Sequence, residues 1–159
     1  CETIQLPNGN INKEYYILEY PDWINIIAIT KEKQFIFIRQ YRHGIQQTSY
    51  ELCAGVCEKG EPPLISAQRE LLEETGYGKG DWIEYMKISA NPSTMTNLTH
   101  CFIATELEKI APQQLEDTED LTVHLLSIDE VKELLTSDQI KQSLHAAPLW
   151  KYIAENHLI

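Results

Sequence analysis

The sequence predicts one α+β domain spanning residues 1–159, and three observations carry that expectation. The chain has 159 residues, 43% of them hydrophobic and 23% charged, which is enough for one sizeable core and too little for two. Aromatic and β-branched runs of strand length are interspersed with longer stretches of helical character, without internal repeats or low-complexity linkers. No apolar run approaches the roughly 20 residues needed to cross a bilayer.

The elements follow in order. Pro7-Asn8-Gly9-Asn10 marks a turn, and Glu14 to Tyr20 and Trp23 to Thr30 are rich in aromatic and β-branched residues, as strands are. Gln34 to Arg42 is a third strand. Phe35, Phe37 and Arg39 point one way while Ile36, Ile38 and Gln40 point the other, so its middle is covered on both faces and its polar end emerges. Ser49 to Ala54 forms a short strand that runs into a loop from Gly55 to Glu61. Pro62-Pro63 opens a helix from about Leu64 to Thr75, because proline has no N–H to leave unpaired in a first helical turn, and Gly76 stops it as a left-handed cap. Trp82 to Ala90 and Thr99 to Glu106 are strands separated by the polar loop Asn91 to Asn97, and Leu121 to Ile128 is another. Two helices close the chain: Asp129 to Thr136, with Asp129 as its cap, and an amphipathic run from Ser137 to about Asn156.

Charge and cysteine usage narrow the function. The formal charge of -11 excludes a nucleic-acid backbone as partner, since no Lys/Arg cluster is available to replace its counterions. A phosphorylated small molecule remains compatible where divalent cations sit between its oxygens and a group of carboxylates. Cys1, Cys53, Cys57 and Cys101 are too few and too scattered for a disulfide framework, and no second Cys/His pair accompanies Cys53 and Cys57 at zinc-finger spacing. With no basic-then-apolar signal pattern at Cys1 to Pro7, the expected location is the cytoplasm, with no membrane partner.

The chemistry concentrates between Gly55 and Tyr77. Glu70, Glu73 and Glu74 lie at i, i+3 and i+4, so they share one helix face. Like charges at that spacing cost roughly 0.2–0.5 kcal/mol per pair in an isolated helix, which calls for a compensating cation. Hard carboxylate oxygens select Mg²⁺ or Mn²⁺, and Mg²⁺ is held by one or two carboxylates together with waters and phosphate oxygens. Arg69 can reach Glu73 or Glu61 and is an orienting residue, while Ala67, Leu71 and Leu72 bury the other side of the helix. At the polar strand end, Arg42 is the candidate diphosphate contact, because a guanidinium pairs two phosphate oxygens in a planar fork; Arg39 is a second candidate. Trp23 and Tyr15 are aromatic rings suited either to stacking a base or to burial in the sheet, and the five histidines are too scattered to assign to chemistry.

Gly55, five residues, Glu61, seven residues and then Arg69-Glu70-Leu71-Leu72-Glu73-Glu74-Thr75-Gly76-Tyr77 make up a complete Nudix box. At about 6% per fixed position, near average residue usage, an accidental match is on the order of one in 10⁶. The chain thus resembles the Nudix hydrolases, and the resemblance implies an α/β/α sandwich with a curved mixed sheet between helices. It also implies metal ligation by residues matching Glu70, Glu74 and Glu73 and by the carbonyl of Ala54, with Glu61 supporting the loop.

Within the superfamily, residues 34 to 135 are similar to the ADP-ribose pyrophosphatase branch. The similarity rests on Arg39-Gln40-Tyr41-Arg42, on Tyr50-Glu51-Leu52-Cys53-Ala54-Gly55, on Pro92 fifteen residues after Tyr77, and on the acidic stretch Glu116 to Asp120 before Leu121. It implies Mg²⁺-dependent hydrolysis of ADP-ribose or a related nucleoside diphosphate sugar, with Glu119 or Glu116 as the general base. It further implies a homodimer in which residues 1 to 30 help build the partner's cleft. Cys53 stands where the branch has proline, and Asn91-Pro92-Ser93 replaces Ser-Pro-Gly in a loop expected near the terminal ribose, which shifts the expected substrate toward a related nucleoside diphosphate sugar.

Overall fold

A computed structural model describes residues 1–115 and 119–158. Its strands are β1 (Glu2–Gln5), β2 (Ile11–Tyr15), β3 (Trp23–Thr30), β4 (Phe35–Arg42), β5 (Gln47–Glu51), β6 (Cys53–Val56), β7 (Tyr77–Gly78), β8 (Asp81–Ile88), β9 (Thr99–Lys109) and β10 (Leu121–Leu126). Its helices are α1 (Pro63–Thr75), α2 (Ile128–Thr136) and α3 (Ser143–Glu155). β10, β4, β3 and β9 lie side by side, with β5 on β4, β6 on β3, and β7 and β8 on β9. β3 and β9 run parallel while the other pairs are antiparallel, so the sheet is mixed. The α+β class is thereby met.

Strand periodicity divides the core into two halves. On β3, Ile24, Ile26 and Ala28 pack with Ala67 and Leu71 of α1, whereas Ile27 and Ile29 pack with Val131, Leu134 and Leu135 of α2 and with Leu149 and Ile153 of α3. Phe35 and Phe37 join the second cluster and Ile36 the first, so β4 is covered on both faces, as its alternation predicts. Helices therefore flank the sheet on both sides.

Several element boundaries differ from the sequence expectation. Instead of one strand over Glu14 to Tyr20, β1 and β2 form a hairpin about the Pro7–Asn10 turn, with Leu6 N–H donating to Asn10 O at 2.8 Å. This hairpin is a separate two-stranded sheet. After Tyr15 the chain follows the loop at 93–97 instead of pairing in the sheet: Leu18 N–H donates to Thr94 O at 2.7 Å, and Asn97 Nδ2 to Pro21 O at 3.0 Å. The expected strand Ser49 to Ala54 is two strands, because the chain changes partner at Leu52 from β4 to β3.

At the C-terminal end, α2 is capped by Ser127 and not Asp129. The Ser127 hydroxyl accepts from Glu130 N–H while the Glu130 carboxylate accepts from Ser127 N–H, a reciprocal capping box. The run from Ser137 breaks at Asp138, whose φ of 55° is left-handed, and α3 begins only at Ser143. α1 ends as predicted: Gly76, at φ 75°, donates its N–H to Leu72 O at 2.8 Å.

Candidate active site

A cleft of about 660 Å³ opens between the strand ends and the first turn of α3, a volume in the range of small-molecule sites. β6 enters the loop before α1 here, and Ala54, Gly55, Glu74 and Glu119 share one part of its wall.

Arg69 organises the helix carboxylates. Its guanidinium donates to Glu61 Oε2 at 3.1 Å, Glu70 Oε1 at 3.0 Å, Glu73 Oε2 at 3.1 Å and the Val56 carbonyl at 3.3 Å. Glu61 also accepts from the Ser66 hydroxyl at 2.7 Å, so it braces the loop. These contacts hold the Arg69 pKa above its ordinary value. Arg69 therefore orients charge and, always protonated, takes no part in proton transfer.

Gly55 creates the opening for Glu70. A Cβ at position 55 would lie 2.1 Å from Glu70 Cδ and 2.3 Å from Oε1, so only glycine lets that carboxylate rest over the loop. Glu74 lies deeper, 5% exposed, with Oε2 making no hydrogen bond. Burial raises its pKa to about 8; the Cys53 thiol acts in the opposite direction, and the charges of Glu70 and Glu119 raise it further. Burial also raises the pKa of Glu70, against the pull of Arg69.

This arrangement fits a divalent cation. A buried carboxylate oxygen without a partner, a second carboxylate over a glycine, and the neighbouring Ala54 carbonyl form a set of hard oxygen donors. Among the described residues no group of three or more His, Cys, Asp or Glu side chains is placed to hold a metal ion, so the donors here are the Glu74 and Glu70 carboxylates and a backbone carbonyl. Glu73 is 43% exposed and turned to Arg69, the least enclosed of the three helix glutamates.

The two strand arginines part company. Arg42 lines the cleft, but its planar fork closes on Glu51, with Nε 2.9 Å from Oε1 and Nη2 2.5 Å from Oε2. That pair uses the Nε edge of the guanidinium and leaves the second Nη2 N–H and both Nη1 N–H groups as donors. Burial opposes ionisation of Glu51, yet Arg42 and His145 outweigh it and hold the carboxyl at about 2. Arg39 instead lies over the Tyr50 ring, 5.6 Å from its centroid, and does not line the cleft. Glu116 lies outside the described residues.

Trp23 lines the cleft, whereas Tyr15 donates to the Ser93 carbonyl on the 93–97 loop, which does not line it. Sequence reading missed Glu51, His145, Asn25 and Thr99, all in the cleft wall. Glu51 gave one signal, a lone carboxylate inside an otherwise strand-forming run. The other three have no spacing that sets them apart.

Residues 20–147 match the NUDIX domain family model. The chain is 31% identical over 140 residues to an ADP-ribose pyrophosphatase of Bacillus subtilis, covering 87% of this chain and 75% of that protein. It is also 31% identical over 145 residues to a methanol dehydrogenase activator of Bacillus methanolicus, covering 89% and 77%. A solved structure described as an ADP compounds hydrolase superposes with a TM-score of 0.77 at 22% identity, over 99% of this chain and 86% of the other. A family match over most of the chain, taking in the helix whose Glu74 lines the cleft, identifies this protein as a member of the Nudix family and a Nudix hydrolase.

Proposed function

We propose that this Nudix hydrolase cleaves the diphosphate linkage of ADP-ribose or a related nucleoside diphosphate sugar in a Mg²⁺-dependent reaction, releasing AMP, or another nucleoside monophosphate, and a sugar phosphate. The observation that carries the proposal is the unpartnered, buried Glu74 Oε2 beside Ala54, with Glu119 in the same wall. Similarity to an ADP-ribose pyrophosphatase supports the substrate class.

Glu70, Glu74 and the Ala54 carbonyl would hold Mg²⁺, with Glu73 as a further ligand; Mn²⁺ would suit the same oxygens. Bound there, the cation would neutralise diphosphate oxygens and lower the pKa of water. Glu119 accepts the proton of the attacking water, and Glu116 is the alternative base. Arg69 keeps Glu70 and Glu73 aligned. Arg42, fixed by Glu51, offers its remaining N–H groups to the phosphate and stabilises charge growing there. Arg39, expected as a second substrate contact, lies over Tyr50 away from the cleft wall and steadies the strand end that presents Arg42.

The protein acts as one domain and a homodimer, a reading supported by the separate β1–β2 sheet with its exposed Ile11 and by exposed Tyr16 and Leu18 just after it. Its four unpaired cysteines fit the reducing cytoplasm. The test is a product-resolved hydrolysis panel with and without Mg²⁺, covering ADP-ribose, other nucleoside diphosphate sugars, dinucleotides, coenzyme A and nucleoside triphosphates. The expected result is turnover of a nucleoside diphosphate sugar that Glu74→Gln abolishes. Preferred turnover of a triphosphate or coenzyme A, or full activity in Glu74→Gln, overturns the proposal.

A further inference from the structure

The cleft wall beyond the carboxylates carries three buried polar side chains with hydrogen-bonding capacity left over. Asn25, Thr99 and His145 are 1%, 2% and 1% exposed, and all three line the cleft. Asn25 Oδ1, Thr99 Oγ1 and His145 Nδ1 complete no hydrogen bond, while His145 Nε2 faces Glu51 Oε2 at 3.5 Å. Buried polar atoms in native proteins are almost always partnered, so three such groups in one ligand-sized cleft point to a polar ligand group.

The orientation of Asn25 is fixed by the fold. Pro148 has no N–H to give to the Leu144 carbonyl one turn earlier in α3, and Asn25 Nδ2 donates to that carbonyl instead, at 2.6 Å. A reversed amide would set two oxygens against each other, so Oδ1 stays free as an acceptor.

The position of these groups selects what they recognise. Asn25 stands directly opposite Ala54 in the β3–β6 register, and Trp23, two residues back, stands opposite Thr99 of β9. Opposed strand residues lie about 5 Å apart, so Asn25 sits one substituent away from the diphosphate position proposed at Ala54, with Thr99, on the strand at the other flank of β3, and His145 in the wall of the same cleft. A base, separated from the diphosphate by its ribose, would lie farther out. An acceptor, a hydroxyl and an imidazole together match vicinal hydroxyls.

We infer that Asn25, Thr99 and His145 form a hydroxyl-recognising subsite for the sugar joined directly to the diphosphate. This rests on the proposed diphosphatase reading and specifies where its sugar is sensed. Such a sugar is either the nucleoside ribose or the second sugar, and separate probes tell them apart.

Calorimetry with Mg²⁺ compares AMP and ribose 5-phosphate with their 2- and 3-deoxy counterparts, using methylenediphosphonate as a sugar-free control. In the wild-type protein one of the two sugar phosphates is expected to lose roughly tenfold to hundredfold in affinity on loss of a hydroxyl, the cost of stranding a buried partner. Thr99→Val, which keeps the side-chain shape, and His145→Gln should shrink that preference while methylenediphosphonate binds within about twofold of wild type. A wild-type protein indifferent to the deoxy change, or a preference intact in both variants, overturns the subsite while leaving the diphosphatase reading in place. Failure of methylenediphosphonate to bind with Mg²⁺ overturns both. Should either variant not fold, the wild-type comparison still decides.

Discussion

The carboxylate of Glu70 occupies the space in which a side chain at position 55 would begin, 2.1 Å from an ideal Cβ there. Gly55→Ala should therefore leave the sheet intact and push the Glu70 carboxylate out of the space over position 55. Because the displaced group is the far end of a flexible side chain, the stability cost should stay near 1 kcal/mol, within the ordinary range for point substitutions. Mg²⁺ affinity and turnover should fall at least tenfold. Thermal melts and Mg²⁺ titrations of the same preparation check both halves, and a normal Mg²⁺ affinity would show that Glu70 is not held there for metal.

Glu74 makes the metal-free protein sensitive to alkali. Its folded pKa of about 8 lies above the ordinary carboxyl value of 4.5, so between those limits the native state binds the extra proton. Stability is then lost as pH rises through that window, with a ceiling of about 5 kcal/mol set by the difference between the two values. Denaturant melts from pH 5 to 8.5 in chelator should show the decline, Glu74→Gln should flatten it, and Mg²⁺ should reverse it most strongly at the alkaline end. Equal slopes in wild type and Glu74→Gln would exclude Glu74 as the source.

How far the site could be read in the sequence depends on the range of the interaction involved. The i, i+3, i+4 spacing of Glu70, Glu73 and Glu74 and the caps of α1 are local, and the helix appears where Pro62-Pro63 and Gly76 put it. The β1–β2 hairpin was missed because Ile11 to Tyr15 pairs with strand-poor residues before the turn, and its own faces are mostly exposed. Asn25, Thr99 and His145 come to one cleft only through the β3–β9 register and the docking of α3, contacts with sequence separations that no periodicity encodes. Arg42, the expected diphosphate contact, lines the cleft, but its pairing with Glu51, nine residues away across the β4–β5 turn, is set by strand register that its own strand does not reveal.

The Arg42–Glu51 pair gives the opposite pH signature. Glu51 is 1% exposed and its carboxyl is held at about 2, so its contribution is present above the ordinary value of 4.5 and lost as pH falls toward 2. Arg42→Ala strands a buried carboxylate; with Arg42 itself 45% exposed, the expected loss at pH 7 is about 1–3 kcal/mol, below that of a fully buried pair. Glu51→Gln should restore much of that stability in the Arg42→Ala background without restoring activity. A double-variant cycle by urea denaturation measures the coupling, and additivity within about 0.5 kcal/mol would exclude the pair as a stabilising unit.

The N-terminal hairpin should hold two copies together. Among the described residues β1 and β2 pair in a sheet only with each other, and an isolated two-stranded hairpin is at best marginally stable in water, so a second copy is expected to add to the hold that Tyr15 has on Ser93. Ile11 is 65% exposed, and Tyr16, at 66%, and Leu18, at 48%, follow close behind it, which is more apolar surface than a monomeric hairpin ordinarily presents. A second copy covering this face would also bring its hairpin toward the neighbouring cleft, joining assembly to activity. The expected mass in sedimentation equilibrium is twice 18.3 kDa, and Ile11→Lys with Tyr16→Lys should shift it to the monomer and lower turnover per chain at least tenfold. The isolated core of the sheet is untouched by those changes, so the melting transition of the main domain should persist. A wild-type protein that stays monomeric at micromolar concentration, or a charged variant that stays dimeric, would exclude the hairpin as the dimer contact.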